Sequence, residues 1–247
     1  MTIEKTLLLV GATSDIGHAV ALRYAGAGWR IVLCARDTEA AARNRDDLAA
    51  RTGAAVTLLR LDIRETGAFA ALLDGLPTLP DTVVCAVGEL GEPARTQADP
   101  DAAARVYAVN FTGPALLLGM LAERFAARGG GTLVGISSVA GERGRGSNTA
   151  YGAAKAGFTA YLSGLRNRLA RSGVRVVTVK PGFVRTRMTR GMRLPPALTA
   201  DPGEVGAAVY RAAEIRPADV VWVRPVWRLV MAVIRAIPEP VFKRLTL

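Results

Sequence analysis

Short apolar runs alternating with helical stretches leave this chain few ways to fold. Residues 6–10, 30–35, 56–61, 82–86, 132–136 and 174–179 are each dominated by aliphatic and β-branched side chains and are too short for stable helices. Between them lie longer polar-apolar stretches at helical period, such as 16–27, 39–51, 65–73 and 101–121. A parallel strand pair needs a long crossover, usually a helix, so strand-helix alternation predicts an α/β chain with a doubly wound parallel sheet flanked by helices. Half of the 247 residues are hydrophobic, enough to cover both faces of such a sheet in one domain. That domain is expected over 1–225, followed by a basic amphipathic segment over 226–247 that either packs on it or anchors at an interface.

The first strand runs into Gly11-Ala-Thr13-Ser14-Asp15-Ile16-Gly17 and then a helix. A glycine turn between a strand and a helix brings backbone N–H groups and the positive end of the helix to one point, where a diphosphate can bind. Asp15 stands inside that turn, where a carboxylate crowds and repels a phosphate unless it points away or caps the helix, as Ser14 also can. The second strand ends at Ala35, followed by Arg36 and Asp37. An arginine there pairs with a ribose 2′-phosphate and favours NADP(H), whereas Asp37 would bind the free ribose of NAD(H) if the register shifts.

The stretch 137–155, SSVAGERGRGSNTAYGAAK, follows the fifth apolar run. Tyr151 and Lys155 are four apart and share a helical face. A phenol with a free pKa of about 10 is a poor acid near neutrality, and a neighbouring ammonium lowers that value. Ser138, thirteen residues before the tyrosine, is placed to hydrogen-bond the carbonyl or hydroxyl that Tyr151 protonates or deprotonates.

With these motifs together, the chain resembles the short-chain dehydrogenase/reductase family over nearly its whole length. The resemblance implies a Rossmann-type fold and an NAD(P)-dependent oxidoreductase in which Asn110, Ser138, Tyr151 and Lys155 are catalytic. Asn110 would fix a relay water through its backbone, and Lys155 would hold the nicotinamide ribose as well as tune Tyr151. Gly11 and Gly17 match the outer glycines of the family's TGxxxGxG turn, with Asp15 at the middle one. Asp62 falls where relatives contact adenine, and Gly88 where they carry an NNAG turn whose asparagines are missing here. Pro181, Gly182 and Thr186 match PGxxxT, whose threonine would reach the carboxamide.

Charge adds a second theme. Thirty-two basic against 21 acidic side chains give a net charge of +11 and suggest an anionic partner. The arginines of 142–145 and 185–193 cluster at the expected mouth of the site, and Arg143, Arg145 and Arg187 are the candidates to hold a substrate phosphate. These loops and the tail of alternating Trp, Arg and aliphatic residues resemble the branch of the family that reduces a polyprenylphosphoryl 2-keto-pentose. That likeness implies a lipid-linked sugar phosphate substrate, a flavin oxidase partner that makes the ketone, and cell wall biosynthesis. A small soluble carbonyl substrate remains the alternative. The tail suits either peripheral contact with the inner face of the membrane or packing in a homo-oligomer.

Other classes are disfavoured. One histidine, His18, excludes a multi-histidine metal site and is expected to be solvated. Cys34 and Cys85 lie in apolar runs without CxxC spacing and read as core thiols of a cytoplasmic protein. The N-terminus runs directly into a strand, which leaves no room for a signal peptide, and no uncharged run approaches a membrane span. No nucleic-acid-binding motif accompanies the charge.

Overall fold

A computed structural model describes residues 5–245; Thr246 and Leu247, the end of the expected tail, lie outside the described residues. The strands β1 (Thr6–Val10), β2 (Arg30–Ala35), β3 (Val56–Arg60), β4 (Thr82–Cys85), β5 (Gly131–Ile136) and β6 (Val174–Lys180) form where expected. With β9 (Val220–Trp222) they make a parallel sheet in the order β3-β2-β1-β4-β5-β6-β9. The order reverses at β1, so the carboxyl ends of β1 and β4 flank a crevice of the kind that receives ligands in open parallel sheets. Short strands β7 (Phe183–Val184) and β8 (Thr199–Ala200) pair separately beyond β6.

Alternation along each strand divides the core. Leu7 and Leu9 face a layer with Val20, Tyr24, Val205 and Val209, while Leu8 and Val10 face Leu117, Phe125, Phe158 and Leu162. The first layer comprises α1 (Asp15–Ala25), α2 (Thr38–Thr52) and α8 (Pro202–Tyr210), and the second centres on α6 (Gly113–Arg128) and α7 (Thr149–Leu169). Both faces are therefore dry, which is why the strands read as continuous apolar runs. Cys34 and Cys85 are free and buried in the second layer, and burial pushes the Cys34 thiol up to about 12.

Several expectations need revision. The helical region around 101–121 is α5 (Pro100–Tyr107), a π-helical turn over Ala108–Thr112 and then α6, preceded by a short α4 (Pro93–Ala98). Together residues 100–128 are long and apolar enough to cross a membrane by length and composition alone, but 56% of the apolar window is buried inside the domain, as in a core helix. His18 is not merely solvated, because its Nε2 lies 3.0 Å from Asp47. The short helix near 65–73 is a 3₁₀ turn over Thr66–Ala68 followed by α3 (Phe69–Asp74).

The end of the described chain folds back under the sheet's carboxyl edge. Helix α9 (Val226–Ala236) buries Trp227 and Met231 against Val139, which follows Ser138, and leaves Leu229 and Val233 exposed. The four-residue helix α10 (Glu239–Phe242) follows after Pro238.

Candidate active site

The switch in strand order, the loop after β5, the start of α7 and the segment after β6 surround a cavity of about 820 Å³. Gly11, Thr13, Ser14, Asp15, Ile16, Arg36 and Asp62 line one end. Gly88, Ser138, Tyr151, Lys155, Pro181, Gly182 and Thr186 line the other, so the cavity brings together motifs that are far apart in sequence.

At the first end, Gly11 adopts φ +101°, and a Cβ there would lie 2.9 Å from the Ala86–Val87 backbone. Only glycine lets β1 turn into α1 against β4 in this way. Ser14 is the N-cap, its hydroxyl accepting from Gly17 N–H at 3.3 Å. Asp15 therefore does not cap the helix. Its carboxylate instead accepts from Arg187, from the main-chain N–H at 2.7 Å and from Nε at 2.8 Å. A further Nη2 of Arg187 donates to the Thr13 carbonyl.

Arg36 stands in the cavity wall, where its charge helps to hold the Asp62 carboxyl down. Asp37, the competing ribose ligand, accepts from Ala40 N–H at 2.9 Å as the N-cap of α2. Its carboxylate is engaged by its own helix. Asp62 is buried, and the Arg64 guanidinium and N–H that it accepts hold its carboxyl down at about 2.

At the second end, Ser138 terminates the extended backbone after β5, and its hydroxyl accepts from Ala140 N–H at 3.1 Å. The Tyr151 phenol lies near enough to the same hydroxyl for Ser138 to act on its pKa. Burial raises the phenol's pKa and the Ser138 contact opposes that rise. Lys155 is buried and donates to the Ile136 carbonyl at 3.0 Å, with Nζ 5.8 Å from the centre of the Tyr151 ring. Burial lowers its ammonium to about 8. The sequence expectation that Lys155 lowers the Tyr151 pKa is thus not the governing effect here, because desolvation of both groups outweighs a cation turned toward a carbonyl.

Asn110 lies in the π-turn and is fully buried. Its Oδ1 accepts from Glu89 N–H at 3.3 Å, and its Nδ2 donates to the carbonyls of Glu89 (2.7 Å) and Val106 (2.9 Å). With the side chain so occupied, it staples the loop after β4, including Gly88, beside Lys155. A Cβ on Gly88 would lie 3.3 Å from Asn110 Oδ1 and 3.8 Å from Lys155 Nζ. Pro181 and Gly182 leave β6, and Thr186 caps the turn over Arg187–Thr189. Gly182 has the ring of Trp227 directly against it, since a Cβ there would come within 1.9 Å of the indole.

The rim arginines separate into different roles. Arg143 does not line the cavity and is corrected as a substrate contact. Its Nη1 donates to the carbonyls of Ile234 (2.6 Å), Arg235 (3.3 Å) and Ile237 (2.6 Å), and its Nη2 meets Glu239 at 2.8 Å. Its guanidinium also stacks 3.6 Å from the centre of the Phe242 ring. Carbonyls gathered at a helix end, together with the negative end of the dipole, draw a fork-shaped cation there. Arg187 lines the cavity at its glycine-turn end, paired with Asp15, rather than beside Tyr151. Arg145 also lines the cavity; its Nε is buried without a hydrogen-bond partner, and burial lowers its pKa. Leu90, Pro93, Met188 and Met192 add apolar surface to the same cavity.

Sequence reasoning missed the pair that ties this loop down. Lys180 Nζ lies 2.6 Å from Glu142, both largely buried, and Glu142 also meets Arg235 at 3.5 Å. Among the described residues no group of His, Cys, Asp and Glu could hold a metal ion.

Residues 5–196 match the family model described as short chain dehydrogenase. The chain is 37% identical over 247 residues to an uncharacterized oxidoreductase of Streptomyces coelicolor, covering 98% of this chain and 96% of that protein. It is 36% identical over 242 residues to an uncharacterized oxidoreductase of Mycobacterium tuberculosis, covering 97% and 96%. Among solved structures, a short-chain dehydrogenase from Sphingobium yanoikuyae in complex with NADPH superposes with a TM-score of 0.81 at 26% identity, covering 95% of this chain and 97% of that one.

Proposed function

Because the chain belongs to the short-chain dehydrogenase family, we propose that it is an NADP(H)-dependent reductase of a ketone, with Tyr151 as the proton donor. One observation carries the reading. Ser138, Tyr151 and Lys155 line the same cavity as the glycine turn and Arg36. The cradle fits a dinucleotide, since Gly11 admits no side chain against β4 and the cavity runs unbroken from that turn to Tyr151.

A reduced nicotinamide bound there supplies the hydride. The protein's part is proton management and positioning. Ser138 orients the substrate oxygen, and Tyr151 gives its phenolic proton to that oxygen as negative charge develops on it. The raised pKa keeps Tyr151 protonated near neutrality, the state a general acid needs. The buried Lys155 ammonium stabilises the phenolate left behind, and Asn110 holds the π-turn from which a relay water is anchored. Arg36 supplies the counter-charge for a 2′-phosphate, an assignment favoured by the engagement of Asp37 in capping α2. NAD(H) is the alternative cofactor.

A finer reading is favoured by Arg145. Its unpartnered Nε, in a cavity with that apolar surface, suits a keto compound that carries an anion and a long hydrocarbon. The loops and tail also resemble decaprenylphosphoryl-2-keto-ribose reductase, which makes a polyprenylphosphoryl 2-keto-pentose the specific candidate. A flavin oxidase would be the partner that makes the ketone, at the inner face of the membrane. Segment 226–245 then acts as a brace of the catalytic loop, with its exposed apolar residues free for membrane or subunit contact.

The test follows NADPH and NADH oxidation with that substrate, generated in place by a flavin oxidase, and with simple ketones. Turnover on the lipid-linked ketone that vanishes in Tyr151→Phe, while the variant still binds NADPH, establishes the reading. Turnover on simple ketones alone removes the lipid-linked substrate and keeps the reductase. Undiminished activity in Tyr151→Phe overturns the proton-donor assignment.

A further inference from the structure

The glycine turn carries a negative charge where a dinucleotide's diphosphate would lie, and the structure shows how that charge is answered. Asp15 is the first residue of α1, and its two carboxylate oxygens accept from the main chain and the side chain of Arg187, 172 positions away. Arg187 also reaches the Thr13 carbonyl inside the turn. Asp15, Thr13, Ser14 and Arg187 all line the cavity. The neighbouring loop cation, Arg185, is turned to Asp201 at 2.8 Å and so serves elsewhere.

An anion at a helix N-terminus is stabilising by itself but repels a second anion at the same place. We propose that Asp15 and Arg187 are a coupled pair for diphosphate binding. Arg187 provides the counter-charge to the diphosphate, and Asp15 is a positioning residue that holds this arginine, and with it residues 186–192, over the glycine turn. The inference rests on the dinucleotide reading above and goes beyond it. It makes the aspartate in the turn part of the binding device, not a defect tolerated by it, and ties closure of the segment after β6 to that charge.

Dissociation constants of NADPH and NADH, read from nicotinamide fluorescence, test the coupling in Arg187→Ala, Asp15→Asn and the double variant. Arg187→Ala leaves a bare carboxylate at the turn and is expected to weaken both dinucleotides about tenfold or more, by a similar factor because the diphosphate is common to them. Asp15→Asn alone is expected to cost about threefold. The double variant is expected to regain most of the loss in Arg187→Ala, because the repulsion goes with the carboxylate. Limited trypsin digestion of the free protein gives the second readout, with faster cutting at Arg190 and Arg193 in both single variants. Losses that simply multiply in the double variant, or a loss confined to NADPH, overturn the coupling while leaving dinucleotide binding intact. If wild-type protein binds neither dinucleotide, the dinucleotide reading itself fails, and the coupling with it.

Discussion

Replacing Arg143 by alanine separates two roles that its sequence position allows. The side chain is only 14% exposed and delivers one guanidinium to three main-chain carbonyls at the end of α9, to Glu239 and to the face of Phe242. Glu239 is 74% exposed, so that ion pair contributes at most about 1 kcal/mol. The contact with the helix terminus is worth roughly 1 kcal/mol, and the stacked cation on a shielded ring about 1–2 kcal/mol. Because these share one group they do not add in full, and about 3 kcal/mol is a reasonable total. Docking of α9 and α10 would then weaken by roughly a hundredfold. Hydrogen exchange resolved by peptide should show α9 amides opening about that much faster, with the sheet core unchanged. Arg143→Lys, which keeps the charge but loses the planar fork, should fall between. Unaltered exchange in α9 together with a selectively raised KM for an anionic substrate would falsify the brace and return Arg143 to the substrate site.

Three further outcomes follow from the geometry. Gly182→Ala puts a methyl group into the Trp227 ring and is expected to destabilise the protein by about 1–3 kcal/mol, with Trp227→Ala recovering part of that loss in the pair; chemical denaturation measures both. Lys155 has a folded pKa of about 8, below its unfolded value near 10.4, so the unfolded chain binds more protons between these values. Stability of the free protein should therefore rise with pH across that window, and Lys155→Met should flatten the slope in denaturation curves taken from pH 7.5 to 10.5. Arg36→Ala should weaken NADPH about tenfold or more and leave NADH nearly unchanged; equal losses for both would contradict the 2′-phosphate assignment.

How much of this was legible beforehand depended on the range of the interaction. The core strands were written locally, as β-branched and aliphatic runs closed by turn residues, and they formed within a residue of the expected bounds. The spacing of Tyr151 and Lys155 likewise contains its own geometry, because four residues on a helix always share a face. Edge strand β9 was missed because three residues after Asp219 carry too little pattern to read. The break at Ala108–Thr112 was missed because a π-turn adds a residue to a helix without changing its apolar character. The arginines were misread for a physical reason. A guanidinium announces its charge but not its partner, and Arg143 and Arg187 found theirs 91 and 172 positions away. Local sequence leaves Asp15 free to cap, to point away or to repel a phosphate, and it cannot name Arg187 as the partner that the carboxylate finds.

The brace that α9 lays beneath Gly182 and Val139 also sets the order in which this protein can mature. During synthesis the N-terminal part of a chain is available to fold first. Strands β1 to β6 can pair as they emerge, but β9, Trp227 and the carbonyls that Arg143 caps are supplied by residues made after them. The loop bearing Ser138 gains its full support only once α9 has emerged. A nascent chain, or one truncated before α9, would hold the glycine turn before the loop bearing Ser138 was braced, so the two ends of the cavity mature one after the other.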